Sequence, residues 1–305
     1  MNEQNYLSIY AKSFNWAGFF LPKQVYSDCS NLYDFCRYID NIADEKGDLD
    51  TKLKNFNTFK EDFKLKNENN QIIKNMWALI NKFGISQKII DDLFDGVEAD
   101  IKSKVEINTD KDLYVYSYRV AGTVGLMMAK ILNVKERSAL LGAIDLGIAM
   151  QLTNISRDVI EDESNNRFYI KKNFDEIKRI LKIADKFYNN SFISIKKIPF
   201  FLRFSILVAR RVYRQIGNEI LKKGNLENYN KSGKIYVNNL GKVLHTVLSI
   251  GDLIKLYFVK EDKKLTIKEH EIIMQDIEYN ERFWLHNYWR RLCRLNIGLR
   301  ARVSR

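Results

Sequence analysis

The sequence predicts an all-α fold, and three observations carry that prediction. Only 14 Gly and 2 Pro punctuate 305 residues, so long helices with few sharp breaks fit the chain best. Apolar residues recur at helical spacing, as in Val25, Leu32, Phe35, Cys36, Ile39 and Ile42. No segment alternates apolar and polar residues as a half-buried strand does.

Taken in order, residues 6–20 read as a short helix or loop closed by Leu21-Pro22, and residues 23–43 as a helix ended by Gly47-Asp48. Residues 55–63 are amphipathic, 67–70 form a polar link, and 72–83 form a helix stopped at Gly84. Ser86 is placed to cap a helix that runs to about residue 101, and Asp110 to cap one over 111–132. Gly122 and Gly125 lie inside the latter. Glycine in mid-helix costs about 1 kcal/mol against alanine, so the pair marks a bend or a close helix contact. Residues 136–160 make the longest helix, followed by helices over 178–189 and 201–222 and a further one over 236–248. The chain divides into an all-α catalytic region, 1–255, and a differently composed extension, 256–305.

Composition narrows the function classes. Cys29, Cys36 and Cys293 form neither a metal-spaced pair nor a disulfide framework, which suits a reducing cytoplasm. Residues 1–10 are polar and acidic rather than basic and then apolar, which is not a signal peptide pattern. The apolar run 120–132 contains Lys130 and is too short to span a bilayer. A cytoplasmic protein, soluble or peripheral to a membrane, is expected. The net charge of +12 rests on many Lys-Asn-Ile tracts, and no nucleic-acid partner is expected from it.

The chemistry gathers in two acidic stretches. Gln151-Leu-Thr-Asn154-Ile-Ser-Arg157-Asp158-Val-Ile-Glu161-Asp162 follows a run, 140–150, whose one charge is Asp145. Asn154, Asp158 and Asp162 fall at i, i+4 and i+8 and share a helix face, about 6 Å of rise apart. Carboxylates in that register repel, so compensating charge from outside the helix, most simply divalent cations, is implied. Arg37-Tyr-Ile-Asp40-Asn-Ile-Ala-Asp44 repeats the pattern. A lone D-x-x-x-D is common on solvated faces. Here both stretches have apolar flanks and companion Asn, Gln and Arg. Facing each other, they would offer hard oxygen ligands suited to Mg²⁺, with Arg37 and Arg157 complementing phosphate oxygens.

At this point the sequence resembles the squalene/phytoene synthases. The Arg37–Asp44 and Gln151–Asp162 stretches resemble that family's first and second aspartate-rich motifs. Lys12-Ser13-Phe14 with Leu21-Pro22 is similar to its N-terminal signature. Tyr116-Ser-Tyr118-Arg-Val-Ala-Gly122-Thr-Val-Gly125 is similar to its tyrosine and glycine motif. Asp95 to Asp100, and Arg210-Arg211-Val-Tyr213-Arg-Gln-Ile-Gly217, extend the likeness, which covers about residues 8–245. Asn41 stands where many members carry a further Asp, Tyr10 where some have His, Ser156 where an apolar residue is usual, and Lys234 where Arg is usual.

The resemblance implies an isoprenoid-synthase helical bundle with a central hydrophobic cavity and the two motifs facing at its mouth. It implies head-to-head condensation of two allylic prenyl diphosphates through a cyclopropylcarbinyl diphosphate. Mg²⁺, with Mn²⁺ as alternative, would be held by Asp40, Asp44, Asn154, Asp158 and Asp162. Lys12, Ser13, Phe14, Arg37, Gln151, Asn154, Arg157 and Tyr213 would bind substrate. Phe14, Tyr118 and Tyr213 would present aromatic faces to the carbocation, with Tyr118 counted among the catalytic residues. The Ala-Gly-Thr-Val-Gly form and the Asp95 segment resemble phytoene or dehydrosqualene synthases, so two C20 diphosphates going to phytoene are favoured. A C15 substrate stays open, with NADPH needed only for a squalene product. A non-catalytic assembly factor and an RNA-binding helical protein are the rivals of a different class; the intact aspartates oppose the first, and the second gives no reason for two acidic motifs facing a cavity.

The stretch 282–305 holds seven Arg and no acid, among Phe283, Trp284, Tyr288 and Trp289. It reads as an interfacial segment for anionic lipid, with an RNA-binding arm or an extension of no role as the alternatives.

Overall fold

The computed structural model describes residues 12–45, 47–259 and 267–283. The chain passes through α1 (Lys12–Gly18), α2 (Lys23–Asp44), α3 (Leu49–Lys64), α4 (Gln71–Phe83), α5 (Gln87–Glu98) and β1 (Val105–Glu106). It continues through α6 (Asp110–Ser117), α7 (Thr123–Ile131), α8 (Arg137–Ser164), β2 (Arg167–Phe168), α9 (Phe174–Ser194) and α10 (Phe200–Leu221). Then come α11 (Leu226–Lys231), α12 (Asn239–Phe258), α13 (Lys268–Ile273) and α14 (Tyr279–Phe283). The all-α expectation holds among the described residues, apart from one two-residue parallel ladder, β1 against β2.

Several helices start earlier than the apolar pattern suggests, because their first turns are polar and held by caps. Asp48 accepts from the Thr51 amide at 2.8 Å, which starts α3 at Leu49. Asn173 accepts from the Glu176 amide at 2.7 Å and starts α9 at Phe174. Two expected caps are otherwise employed. Thr109 rather than Asp110 caps α6, accepting from the Asp112 amide, while Asp110 binds Arg179. The Ser86 hydroxyl donates to the Glu281 carbonyl instead of capping α5.

α8 is the centre of the bundle. Leu140, Ile144, Ile148, Leu152 and Ile155 are buried along its length, and a helix apolar nearly all round belongs inside a core. By length and composition it is apolar enough to cross a membrane, yet 72% of the qualifying window is buried within the protein. α6 and α7 are joined by a π-helical turn, Tyr118–Gly122. A Cβ added to Gly125 would lie 2.2 Å from the Ala143 carbonyl oxygen, and one on Gly147 2.2 Å from that of Ala121. The two helices therefore touch backbone to backbone, which only glycine permits.

The expected boundary at residue 255 does not survive. Residues 267–283 are part of the core: Tyr279 and Phe283 are fully buried. His270 Nε2 lies 2.5 Å from Asp145 on α8, and Arg282 binds both oxygens of Asp92 on α5 at 2.8 and 2.9 Å. Arg282 thus carries out a structural ion pair and is not part of a free basic segment. The lipid-binding expectation for residues 284–305 lies outside the described residues.

Candidate active site

A cavity of about 360 Å³ runs beside α8. Ala139, Ala143, Gly147, Met150, Gln151 and Asn154 line it, and at 1.5 Å per residue the lined stretch of α8 is about 22 Å long. The far end and walls are apolar, with Val124, Met128, Leu132, Ile195 and Ile198 among them, and many lining residues are Gly, Ala or Ser. At the other end Arg37, Asp40, Asp100, Gln151 and Asn154 form a polar mouth.

The two acidic stretches converge on that mouth. Asp40 and Asp44 sit one turn apart near the end of α2, and Asp158 and Asp162 near the end of α8. Arg167 and Asp100 act electrostatically on both Asp40 and Asp162, so the motifs share neighbours across the opening. Arg167 is ion-paired to Asp44 at 2.7 Å. The ladder positions it: the Val105 amide donates to the Asn166 carbonyl and the Ile107 amide to the Phe168 carbonyl, both at 3.0 Å. Asp100 accepts from the hydroxyls of Tyr116 and Tyr169 at 2.7 and 2.8 Å. Arg37 donates to Asp40 at 2.5 Å, and Arg157 grips both oxygens of Asp158 at 2.8 and 2.6 Å. The Tyr229 hydroxyl donates to the Arg157 carbonyl at 2.7 Å and steadies this turn of α8 from α11.

Charge accumulates here faster than the arginines neutralise it. Burial, and then the Asp44 carboxylate, push Asp40 up to about 6 against the pull of Arg37. Burial, and then Asp158, push Asp162 up to about 7. Asp100 is likewise raised by burial, against the hydrogen bonds of its two tyrosines. The folded protein therefore holds protons on these groups more tightly than the unfolded chain does. Stability falls as pH rises from the ordinary carboxylate range through about 7. Without added cations, the melting temperature is expected to drop between pH 5 and pH 8. Added Mg²⁺ should raise it more at pH 8 than at pH 5, as read by differential scanning fluorimetry.

Among the described residues no three Asp, Glu, His or Cys side chains converge as a ready metal cage. The residues nevertheless fit a hard cation. Asn154 Oδ1 is buried at the mouth without a hydrogen-bond partner among the described residues, and Asp40 at the same mouth is raised first by burial and then by the Asp44 carboxylate. Mg²⁺ commonly takes one or two protein carboxylates and completes its shell with water and substrate phosphate, which a pre-formed cage is not needed for.

Of the other expected residues, Phe14 and Tyr213 line the cavity, their ring centroids 4.9 Å apart, and Gln151 lines it beside Asn154. Ser13 is half-buried on α1 and does not line it, while Lys12 opens the same helix. Tyr118 is a correction. It is fully buried behind the wall, donates its hydroxyl to Asp92 at 2.9 Å and packs on Tyr279, while Tyr116, two residues earlier and so on nearly the opposite side of the helix, lines the cavity. Asp100, Tyr116, Arg167 and Tyr169 were not among the sequence candidates. Asp100 closes the Asp95 segment and Tyr116 opens the tyrosine motif, so two of the four were within reach. Lys234 binds Glu161 at 2.7 Å and lies 3.8 Å from Asp158, at the same rim.

The squalene/phytoene synthase family model matches residues 8–174. The phytoene synthase of Cereibacter sphaeroides is 29% identical over 245 residues, covering 70% of this chain and 69% of that protein. The 15-cis-phytoene synthase of a Paracoccus species is 28% identical over 243 residues, covering 70% and 79%. Among solved structures, a dehydrosqualene synthase in complex with ligand superposes with a TM-score of 0.70 at 26% identity, covering 82% of this chain and 94% of that one. A squalene synthase from Alicyclobacillus acidocaldarius, at TM-score 0.63 and 18% identity, covering 72% and 92%, shows the same fold. The fold is that of an isoprenoid synthase, and the chain belongs to the squalene/phytoene synthase family of prenyltransferases.

Proposed function

We propose that the protein condenses two allylic prenyl diphosphates head to head, and that its substrates are two C20 diphosphates joined to phytoene. The observation that carries this reading is an acidic, arginine-flanked mouth on a long apolar cavity. Asp40, Asp44, Asn154, Asp158 and Asp162 are the residues that would hold Mg²⁺, or Mn²⁺, at that mouth. The bound cation supplies positive charge for the departing diphosphate. Arg37, Arg157 and Arg167 present guanidinium groups to phosphate oxygens, each now occupied by a carboxylate that phosphate and cation would relieve. Gln151 orients the diphosphate end. Phe14 and Tyr213 offer aromatic faces to the allylic cation, and the apolar wall keeps water from quenching it. A phytoene product ends in proton loss and needs no NADPH, whereas a squalene product does.

Chain length follows from depth. At roughly 1.25 Å per extended bond, the sixteen main-chain carbons of a C20 chain reach about 19 Å and the twelve of a C15 chain about 14 Å. The stretch of α8 lining the cavity, about 22 Å, accommodates the longer one. The C15 reading is favoured by a different observation, the likeness to a dehydrosqualene synthase over 82% of the chain. Incubation with C15 and C20 diphosphates, with and without NADPH, separates the two. Mg²⁺-dependent diphosphate release with a C40 hydrocarbon is the expected result, and no release from either substrate would refute the reaction. Ala143 lines the cavity eleven residues from Asn154, about 16 Å along the helix. Ala143→Phe should therefore lower the C20-to-C15 ratio of kcat/KM by about 10- to 100-fold. An unchanged ratio would mean that the chain does not extend along α8. Cytoplasmic placement with peripheral contact to anionic membrane completes the reading, in keeping with long apolar substrate tails and an apolar product.

A further inference from the structure

α12 turns a row of apolar side chains to solvent. Leu240, Leu244, Val247, Ile254 and Phe258 recur along one side, and Leu240 is 81% and Phe258 75% exposed. At 1.5 Å per residue the row is about 27 Å long. The opposite side of the helix is seated in the protein: Ser249 and Leu256 are buried, and Trp16 of α1 donates to Thr246 at 2.9 Å. The exposed row has neighbours of the same kind. Phe19 and Phe20 follow α1, Phe200 and Phe201 open α10, and Phe20 packs edge-on against Phe204 of α10 at 5.1 Å. An apolar surface of this extent marks an interaction site.

Two further observations say what covers it. The rim is basic: Lys23 follows the Phe19–Phe20 pair, Arg203 lies over the Phe200 ring at 5.6 Å, Lys196 donates to the Val259 carbonyl at 3.0 Å, and Lys255 lies over the Phe192 ring. The one acid on α12, Asp252, is held by Arg211 at 2.8 and 3.0 Å. The face also adjoins the cavity wall, since Gly18, Leu21 and Ile198 line the cavity while Phe19, Phe20 and Phe200 point outward beside them.

We propose that this face seats the protein on an anionic lipid bilayer. α12 lies in the interface plane, and the phenylalanines after α1 and at the start of α10 enter the boundary between headgroups and acyl chains. Charge selects lipid over the two other occupants. The stretch after Phe283 carries arginines and no acid, so it would meet the basic rim with like charge. A second copy would bring two basic rims together. α12 lies on the bilayer rather than crossing it, because Lys242, Asp252 and Lys255 interrupt its apolar content. The inference stands on this surface and is independent of which diphosphate the cavity takes.

The test is co-sedimentation of the full chain with vesicles of phosphatidylcholine containing phosphatidylglycerol, and with vesicles of phosphatidylcholine alone. The wild type is expected to bind the anionic vesicles more strongly. The triple variant Leu244→Glu/Val247→Glu/Ile254→Glu changes only exposed positions and should keep the wild-type circular dichroism, while its binding weakens at least about tenfold. Should that variant lose helix content, Leu240→Glu/Phe258→Glu at the two ends of the row gives the same reading. Arg290→Ser/Arg291→Ser/Arg294→Ser should retain most of the binding. Undiminished binding by the α12 variants would overturn the proposal. So would binding lost only with the arginine variant, or a wild-type dimer that the α12 variants split without altering vesicle binding.

Discussion

Asp158→Ala is expected to lower kcat/KM with prenyl diphosphates by on the order of 10²–10³-fold or more, the scale of losing one group aimed at developing charge. Asp158 lies one helical turn beyond Asn154, which lines the mouth, with its two oxygens held by Arg157 and Lys234 3.8 Å away. Its removal takes a hard oxygen donor from the motif and leaves Arg157 without its partner. The fold should be little affected, because Asp158 stabilises no distant element, and circular dichroism should match the wild type. The loss should appear mainly in kcat at saturating Mg²⁺. Full activity in the variant would show that the second acidic stretch does not act on diphosphate.

Arg282→Ala is expected to destabilise the protein by about 3–5 kcal/mol, the cost of stranding a buried charge. Asp92 is buried on α5, and the guanidinium of Arg282 supplies two of its hydrogen bonds while Tyr118 supplies a third. Removing the arginine leaves a carboxylate in the core with one neutral donor. Urea unfolding gives the measurement, and Asp92→Asn/Arg282→Met should recover much of the loss. If Arg282→Ala proved neutral, α14 would not be an integral part of the bundle.

The helical elements and both acidic stretches were legible in the sequence because they rest on local signals: apolar period, glycine stops and i,i+4 spacing. The pairing of the stretches across a cavity came through the family resemblance. The misses share a cause. Tyr118 and Tyr116 are two residues apart and so point to nearly opposite sides of a helix, and only the long-range packing shows that Tyr116 is the one that faces the cavity. Arg167 sits on a ladder of two residues, too short to leave an alternating pattern. The assignment of residues 267–283 to an extension failed because their polar composition hides long-range partners. His270 and Arg282 read as surface residues until Asp145 and Asp92 are seen beneath them.

The reach of those partners bears on how the chain is made. Arg282 meets a carboxylate 190 residues earlier, and His270 one 125 residues earlier. Contacts that distant form late and slow folding, since loop closure precedes the reward. During synthesis, the helices carrying Asp92 and Asp145 leave the ribosome long before their partners exist. Until residue 283 has been translated, the nascent bundle carries two acidic groups at sites that later become dry. Among the described residues, Tyr118 and Asn190 are their only other hydrogen-bond partners, so these two sites are expected to close only when α13 and α14 dock.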